Sequence, residues 1–196
     1  MTLNQLSDSI HQAHIKWWQD IKTGEPLKRN RGELLALVHS EISEGEEGAA
    51  GNLKDDKLTH RPMCEVELAD AYIRLFDYAG GFGYDLDHAA QLKGISEFID
   101  LNHFPRCAAA EELIAQLNLR GIAYIHTLIS RVVEHERKSR VGEVPEALLN
   151  VLLAIGLYGI QEEYDLQGAV DEKLAFNAVR KDHTHEARLA ADGKKF

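Results

Sequence analysis

The sequence has few of the features that would tie it to a secreted or membrane-spanning protein. It holds only two cysteines, Cys64 and Cys107, in 196 residues, which form no disulfide framework and favour a reducing cytoplasm. Its longest apolar run, residues 148–160, is too short to cross a bilayer. The N-terminus lacks a basic segment followed by an apolar one, so we expect no signal peptide.

Positive charge is also scarce. Lysine and arginine number 22 against 32 aspartates and glutamates, which gives a net charge of −10. This balance disfavours a partner held mainly by its phosphate backbone, so we predict no nucleic-acid polymer as ligand. A small anionic substrate is compatible with it, because a bound metal reverses the local sign of charge. The hydrophobic fraction of 44% is ordinary for a soluble globular protein, and no membrane partner is expected.

Alternating β-type runs are absent, and the four prolines fall where helical patterns begin or end. Apolar residues recur at a period near 3.6 in several long segments, so we predict an all-α protein. The pattern predicts helices over residues 3–21, 32–50, 63–82, 86–101, 109–139, 145–164 and 166–183.

The chain contains an internal repeat. The tripeptide Tyr-Asp-Leu at 84–86 recurs at 164–166, and at this offset of 80 Lys93 lies over Lys173. Upstream the offset grows to about 91, because the second copy has a shorter loop. We predict two tandem helical units, 1–104 and 105–196, each too small to bury a core alone and packed together as a pseudo-dimer. Chance similarity between amphipathic helices is the alternative.

Four acids form the main candidate site. Glu41 and Glu44 lie three residues apart in the second predicted helix, and Glu67 and Asp70 repeat that spacing in the third. Residues at this spacing share one helix face, and antiparallel packing of the two helices would bring the pairs together. Four converging carboxylates disfavour full ionisation without a cation, and Mg²⁺ or Mn²⁺ prefers oxygen ligands.

Two other interpretations of these acids are weaker. A di-iron site needs a histidine three residues after a glutamate, and no glutamate of this sequence has one. A solvated helix face would keep exchangeable charges, yet the second copy loses all four acids while its apolar pattern persists. In the repeat alignment, the residues equivalent to the four acids are, in order, Val132, His135, Ala147 and Asn150. Joint loss is typical of one shared site that has decayed.

The spacing E-x-x-E at 41–44, followed after 22 residues by E-x-x-D at 67–70, resembles the signature of the all-α nucleoside triphosphate pyrophosphohydrolases. This MazG-like superfamily includes the dimeric dUTPases and the dCTP pyrophosphatases. Stretches 60–80 and 172–196 resemble its bacterial and phage branch. The resemblance implies an antiparallel helical bundle of that type, built here from the two tandem units.

By this resemblance the chain is expected to be a cytoplasmic hydrolase that controls the nucleotide pool. It would convert a (deoxy)nucleoside triphosphate to the monophosphate and pyrophosphate, by attack of a metal-activated water on the α-phosphorus. The Mg²⁺ (or Mn²⁺) ions would be held by Glu41, Glu44, Glu67 and Asp70.

The resemblance leaves the proton acceptor open. Several family members have a further glutamate immediately before the first of the four acids, and this chain has Ser40 there. Metal-bound hydroxide, Glu44 or Glu47 are the alternatives.

Lys173, Asn177 and Arg180 have the i, i+4, i+7 spacing of one helix face. The resemblance implies that the two cations contact phosphates and that the asparagine contacts the sugar or a phosphate. A basic helix end favoured by the helix dipole is the alternative. The equivalent residues of the first copy are Lys93, Glu97 and Asp100. We therefore predict one composite active site, with metal ligands from the first unit and this helix from the second.

Trp17 and Trp18 end the first predicted helix, and His39 precedes the acids. One tryptophan is expected in the core. The other, together with His39, fits the base-stacking role that the resemblance implies, and a structural histidine is the alternative.

Two rival functions stay open at this point. One is a non-catalytic helical interaction module that has inherited the fold, and the other is phosphoribosyl-ATP pyrophosphohydrolase, a relative with the same chemistry. The preferred base and sugar are not determined by the sequence. The sequence also does not determine the oligomeric state. The tandem of two units is either self-sufficient as a monomer or pairs again into a homodimer.

Overall fold

The computed structural model describes residues 1–95, 101–103 and 108–190, and within these ranges the chain is all-helical with no strand. The all-α prediction is confirmed. Glu97, Asp100 and Cys107 fall outside the described residues. The α-helices are α1 (Leu3–His14), α2 (Arg31–Gly51), α3 (Met63–Phe82), α4 (Leu86–Leu92), α5 (Ala108–Arg120), α6 (Ala123–Arg137), α7 (Val144–Gln161), α8 (Leu166–Val179) and α9 (His185–Leu189).

Helix α3 lies at the centre of the fold, in contact with α1, α2, α7 and α8. Its bounds are those predicted from sequence, because Pro62 starts it and Gly83, with a φ of 69°, ends it. Leu68, Leu75 and Phe76 are fully buried on it. Burial of each such side chain stabilises the fold by roughly 1.5–3 kcal/mol, so α3 is a rigid support for any polar group that it carries.

Helix α2 packs closely along α3. The side chain of Asn30 caps its start by accepting the Glu33 backbone N–H at 3.2 Å. Its buried stripe ends in two glycines, and a Cβ added at Gly48 would lie 2.8 Å from the Met63 Cβ. The missing side chain allows the two backbones to approach, which sets the distance between the acids of α2 and those of α3.

The helix contacts come in matching pairs. Helix α1 packs on α3 as α5 packs on α7, and α2 packs on α3 as α6 packs on α7. The helix after the central helix of each half crosses over, so that α8 packs on α3 and α4 packs on α7. The two halves meet where α2 contacts α6 and α3 contacts α7. The central helix of the first half is thus lined by a helix of the second.

The turns after α3 and α7 have the same construction, 80 residues apart. Gly83 and Glu163 adopt positive φ angles of 69° and 59°. The next residue in each turn donates its backbone N–H to a carbonyl near the helix end, at 2.9 and 2.8 Å. The Asp85 and Asp165 side chains then cap α4 and α8. The predicted offset of 80 therefore matches the local geometry.

The predicted offset of about 91 between α2 and α6 does not match it. His39 and His126, 87 residues apart, stack on each other with ring centroids 4.9 Å apart. Four residues after each histidine a serine hydroxyl donates to its backbone carbonyl, from Ser43 at 2.9 Å and from Ser130 at 2.8 Å. The buried positions of the two helices also match at 87.

At this register Leu128 and Arg131 stand at the positions equivalent to 41 and 44. The alignment that set Val132 and His135 there is wrong by four residues. A four-residue slip turns a helix by only about 40° beyond a full turn, so apolar periodicity does not distinguish the two registers. The second half lacks carboxylates at these positions in either alignment.

Four predicted helices end earlier or break. The helix predicted over 86–101 ends at Leu92. The helix predicted over 3–21 ends at His14, and a 3-10 helix, Ile15–Trp17, follows. The helix predicted over 109–139 divides at Gly121, which adopts a φ of 57°. The helix predicted to reach 183 ends at Val179 and is followed by the 3-10 turn Lys181–His183.

One segment, Val141–Gln161, is long and apolar enough to cross a membrane by length and composition. It comprises α7 and the turn before it, and 72% of the apolar window is buried inside the fold. This burial is typical of the core helix of a soluble protein. Localisation in the cytoplasm stays a prediction.

Close contact between α1 and α3 leads to a stability prediction. A Cβ added at Gly80 would lie 2.8 Å from the Ser7 carbonyl oxygen and from the His11 Cβ. We expect Gly80→Ala to lower the free energy of unfolding by about 1–3 kcal/mol, because the backbone of α1 must move. Gly142→Ala is the control, since nothing lies within 4 Å of that Cβ. Urea denaturation checks this, and equal stability of the two variants would contradict the packing.

Candidate metal centre

A cavity of about 460 Å³ lies beside α2, α3 and α8. Three of the four predicted acids meet there, because carboxylate oxygens of Glu41, Glu67 and Asp70 lie within 4.8 Å of one another. In the described part of the chain this is the group whose geometry fits a metal ion. Glu41 and Glu67 are each only 7% exposed. The acids therefore belong to the interface between two packed helices.

The position of these acids follows from the packing of α2 on α3. Glu41 continues the buried stripe of Leu35 and Val38, so the face that enters the core also carries a carboxylate. Gly45 lies one turn further, where an added Cβ would be 3.6 Å from the Glu67 Cβ. An added Cβ there would make an ordinary van der Waals contact, so α2 lies directly against the part of α3 that carries Glu67.

Two cations of the chain pair with the cluster. The Lys173 ammonium lies 2.7 Å from the Asp70 carboxylate, and the Arg74 guanidinium lies 2.6 Å from that of Glu41. Lys173 is 4% exposed, so α8 brings a buried positive charge from the second half of the chain. Although burial opposes it, the charge of Asp70 raises the pKa of Lys173.

The carboxylates remain difficult to ionise together in spite of these cations. Burial, a hydrogen bond with Glu41 and the charge of Asp70 raise the pKa of Glu67 to about 9. Burial also raises the pKa of Asp70, against the opposing charge of Lys173. Glu67 is therefore protonated at neutral pH when no other cation is near.

The donor set fits a hard divalent cation. All three groups offer carboxylate oxygens, which Mg²⁺ and Mn²⁺ prefer. A second positive charge beside Glu67 would also remove the cause of its raised pKa. Glu44, the fourth predicted ligand, lines the same cavity but is exposed, and its carboxylate accepts a hydrogen bond of 3.3 Å from the Ser40 hydroxyl.

Helix α8 lines one side of the cavity. Lys173, Asn177 and Arg180 all reach it, as their spacing predicts. The Asn177 Oδ1 is buried with no hydrogen-bond partner in the described part of the chain, which leaves an acceptor for a donor group of a ligand. The Arg180 guanidinium pairs with Asp182 at 2.6 Å. The structure thus brings the three residues and the acids to one cavity.

Of the two tryptophans, only Trp17 lines the cavity. The Arg188 guanidinium stacks on its ring, 4.0 Å from the centroid, and the His183 ring meets it edge-on at 5.0 Å. Trp18 is buried, as expected of one member of the pair, and its indole N–H donates to Asp77 at 3.0 Å. One face of Trp17 is therefore covered by the segment that follows α8.

His39 lies away from the cavity. Its ring stacks on His126 at the contact of α2 with α6, and the two Nδ1 atoms are 2.6 Å apart. Burial and the neighbouring His126 lower the pKa of His39. The structure therefore gives His39 a packing environment between the two halves of the chain.

Sequence reasoning missed several cavity residues. Arg74 is one of them, and its guanidinium pairs with Glu41. Arg74 lies four residues after Asp70, so it shares a helix face with that acid, and this spacing is the signal that could have found it. His14, Arg29 and Lys57 also line the cavity. They come from loops or helix ends, for which periodicity gives no signal.

Comparisons with family models, curated proteins and solved structures found no match to this chain. The likeness to the all-α pyrophosphohydrolases accordingly rests on the sequence alone, on the spacing of the acids and on stretches 60–80 and 172–196, the latter including the Lys-Asn-Arg helix. What that likeness implies about activity is a proposal, argued next from the geometry of the cavity.

Proposed function

We propose that the chain is a Mg²⁺-dependent nucleoside triphosphate pyrophosphohydrolase, which releases the monophosphate and pyrophosphate. The observation that carries this proposal is the convergence of three carboxylates within 4.8 Å, buried Glu41 and Glu67 and partly exposed Asp70, beside a cavity that also holds a buried lysine. Acids and cations in one cavity suit a ligand that is itself a metal–phosphate complex.

The acids would hold the metal, and Mn²⁺ would serve in place of Mg²⁺. When bound, such an ion neutralises phosphate oxygens and lowers the pKa of water. The Lys173 ammonium is held 2.7 Å from Asp70 and so stands beside the metal-binding group, where a phosphate oxygen can accept its N–H. Burial of these groups strengthens each interaction, because the local dielectric is low.

Glu44 is the better candidate for the proton acceptor. It lines the cavity, and the Ser40 hydroxyl donates to it. Glu47, the other acid considered, is exposed and does not line the cavity. We assign the acceptor role to Glu44, oriented by the serine that stands where relatives have a further glutamate.

The site is composite in this proposal. Helices α2 and α3 of the first half carry the acids, and α8 of the second half packs on α3 and carries Lys173 and Asn177. The matching pairs of helix contacts support an origin in two like units, 1–104 and 105–196, that exchange helices α4 and α8. A pseudo-dimer of this kind supplies within one chain what a single-unit relative supplies from two, so a further homodimer is not required for the site.

One observation favours the rival function. Arg74 and Lys173 already neutralise two of the three acids, so the cluster is partly satisfied without any metal. A non-catalytic helical interaction module that has inherited the fold would keep such a pair for stability. The raised pKa of Glu67 favours the enzyme instead, since a purely structural cluster gains nothing from a third buried acid.

The test is pyrophosphate release from canonical and modified (deoxy)nucleoside triphosphates and from phosphoribosyl-ATP, with Mg²⁺ and with EDTA. We expect release from at least one nucleotide. Glu67→Ala should lower it more than about 100-fold, because loss of a ligand exceeds the 10–100-fold effect of an outer partner. Glu47→Ala, an exposed acid of α2, is the control and should keep activity.

The outcomes separate the hypotheses. Release from one nucleotide class names the substrate, and release only from phosphoribosyl-ATP selects that relative's activity. A folded protein that releases pyrophosphate from none of the substrates would contradict the proposal and support the interaction module.

A further inference from the structure

A second cavity, of about 480 Å³, lies at the C-terminal end of α8. Two of its lining residues, Lys57 and Arg180, also line the first cavity, so the two spaces share a wall. The full lining is Lys57, Phe176, Val179, Arg180, Lys181 and Asp182.

The six residues that line the second cavity, called the cationic wall below, have a charge opposite in sign to the net charge of the chain. Acids outnumber lysines and arginines by 32 to 22 overall, whereas the six lining residues include three cations and one acid. The acids that pair with the cations are exposed. Asp56 lies 2.5 Å from Lys57 with its side chain 77% exposed, and Asp182 lies 2.6 Å from Arg180 with its side chain 45% exposed. Exposed pairs of this kind are weak and yield to a multiply charged anion.

The position of Lys57 is fixed by the loop that carries it. The buried Asp55 carboxylate accepts the backbone N–H groups of Lys57 and Leu58, at 2.8 and 2.5 Å. Arg61 ties the same loop to α8, through Asp165 at 3.1 Å and Glu172 at 2.8 Å. The loop therefore presents Lys57 from a rigid frame, and the backbone contacts do not depend on its side chain.

The wall is continuous with the metal-binding acids. Lys173, in α8, contacts Asp70. Arg180 follows seven residues later in the chain and lines the same cavity. Seven residues of α-helix span about 10 Å. The acids and the cationic wall are therefore a short distance apart on one surface. An anion formed beside the acids is repelled by them once the metal no longer holds it, and the nearest concentration of cations is this wall.

We propose that Lys57, Arg180 and Lys181 form a pyrophosphate subsite, which receives the diphosphate released at the acids. This inference rests on the proposed function. Pyrophosphate carries several negative charges on adjacent oxygens, and a guanidinium with two ammonium groups offers enough N–H donors for both phosphoryl groups. The nucleoside part of the product does not need this wall.

The experiment is calorimetric titration of inorganic pyrophosphate, without divalent metal, into the wild-type protein and into Lys57→Gln and Lys181→Gln. We expect each variant to bind about 10-fold more weakly, the effect of one lost charge-assisted hydrogen bond. Lys138→Gln is the control, because that exposed lysine of the α6 end pairs with Glu134 and lies on neither cavity. Circular dichroism verifies that all variants fold.

The result separates the subsite from the proposed function. Pyrophosphate affinity that is equal in wild type, Lys57→Gln and Lys181→Gln overturns the subsite, even if the protein hydrolyses nucleotides. Weaker binding by both variants supports the subsite. If that loss occurs in a protein without hydrolytic activity, the anion site stands and the proposed function falls. Absence of pyrophosphate binding by the wild type also overturns the inference.

Discussion

Glu67→Gln is expected to lose more than about 100-fold in pyrophosphohydrolase activity while the metal-free protein keeps its fold. Burial, the hydrogen bond with Glu41 and the charge of Asp70 raise the pKa of Glu67 to about 9, so the wild-type side chain is protonated at neutral pH. Glutamine has the same shape and still donates to Glu41. It offers no anionic oxygen, so the metal loses a ligand and the packing is kept.

The same variant tests the electrostatics of the cluster. In the metal-free wild type the folded-state pKa of about 9 is above the ordinary value of 4.5. Between these values Glu67 binds more protons in the folded state than in the unfolded chain, so its contribution to the free energy of unfolding falls as pH rises from 4.5 to about 9. Glu67→Gln should remove this contribution and be more stable than wild type at alkaline pH.

Thermal unfolding at about pH 6 and about pH 8.5, with EDTA or with Mg²⁺, measures both the pH dependence of stability and the binding of the metal. Mg²⁺ should stabilise the wild type more at the higher pH, because binding must displace the proton of Glu67. Glu67→Gln should show little response to Mg²⁺ at either pH, and Glu47→Gln should behave as wild type. A Glu67→Gln protein that Mg²⁺ stabilises as strongly as wild type would show that Glu67 is not a ligand.

The sequence was sufficient to predict where Glu67 and Asp70 lie. Pro62 and Gly83 bound α3 with strong local signals, so its apolar face and the acids on it could be placed. Glu44 shows the limit of the same reasoning. Glu44 lies three residues after Glu41, yet α2 is oriented so that Glu41 lies in the interface with α3 and Glu44 is exposed. Residues three apart differ by about 60° around the helix, and only the packing partner decides which one is inside.

The register of the second half shows a different limit. Apolar patterns tolerate a four-residue slip, and the stacked pair of His39 and His126 resolves it only in three dimensions. The environment of Trp17 is also set by a distant residue, Arg188, which lies 4.0 Å from its ring. Local spacing carries no information about contacts of this range, so the cavity could be predicted along α3 and α8 but not at its far end.

Lys173→Met is expected to lower the free energy of unfolding of the metal-free protein by about 3 kcal/mol. Methionine fills a similar volume, so the loss is electrostatic: the Asp70 carboxylate, 2.7 Å from the ammonium in wild type, stays buried without its cation. The cost lies at the low end for a broken buried pair, because Asp70 can take up a proton instead. Helix α8 also loses a tie to α3, so the two halves of the chain should separate more readily.

Lys93→Met is the matched control, since Lys93 lies 80 residues earlier at the equivalent position. It pairs at 2.8 Å with Glu146, whose side chain is 54% exposed, so its loss should cost less than about 1 kcal/mol. Urea denaturation with and without Mg²⁺ compares the two variants. Mg²⁺ should restore part of the stability of Lys173→Met, because a divalent cation beside Asp70 replaces the missing charge, and it should not restore that of Lys93→Met. Equal losses in both variants would mean that Asp70 does not depend on the charge of Lys173. A Lys173→Met loss that Mg²⁺ leaves unchanged would mean that Mg²⁺ does not bind beside Asp70.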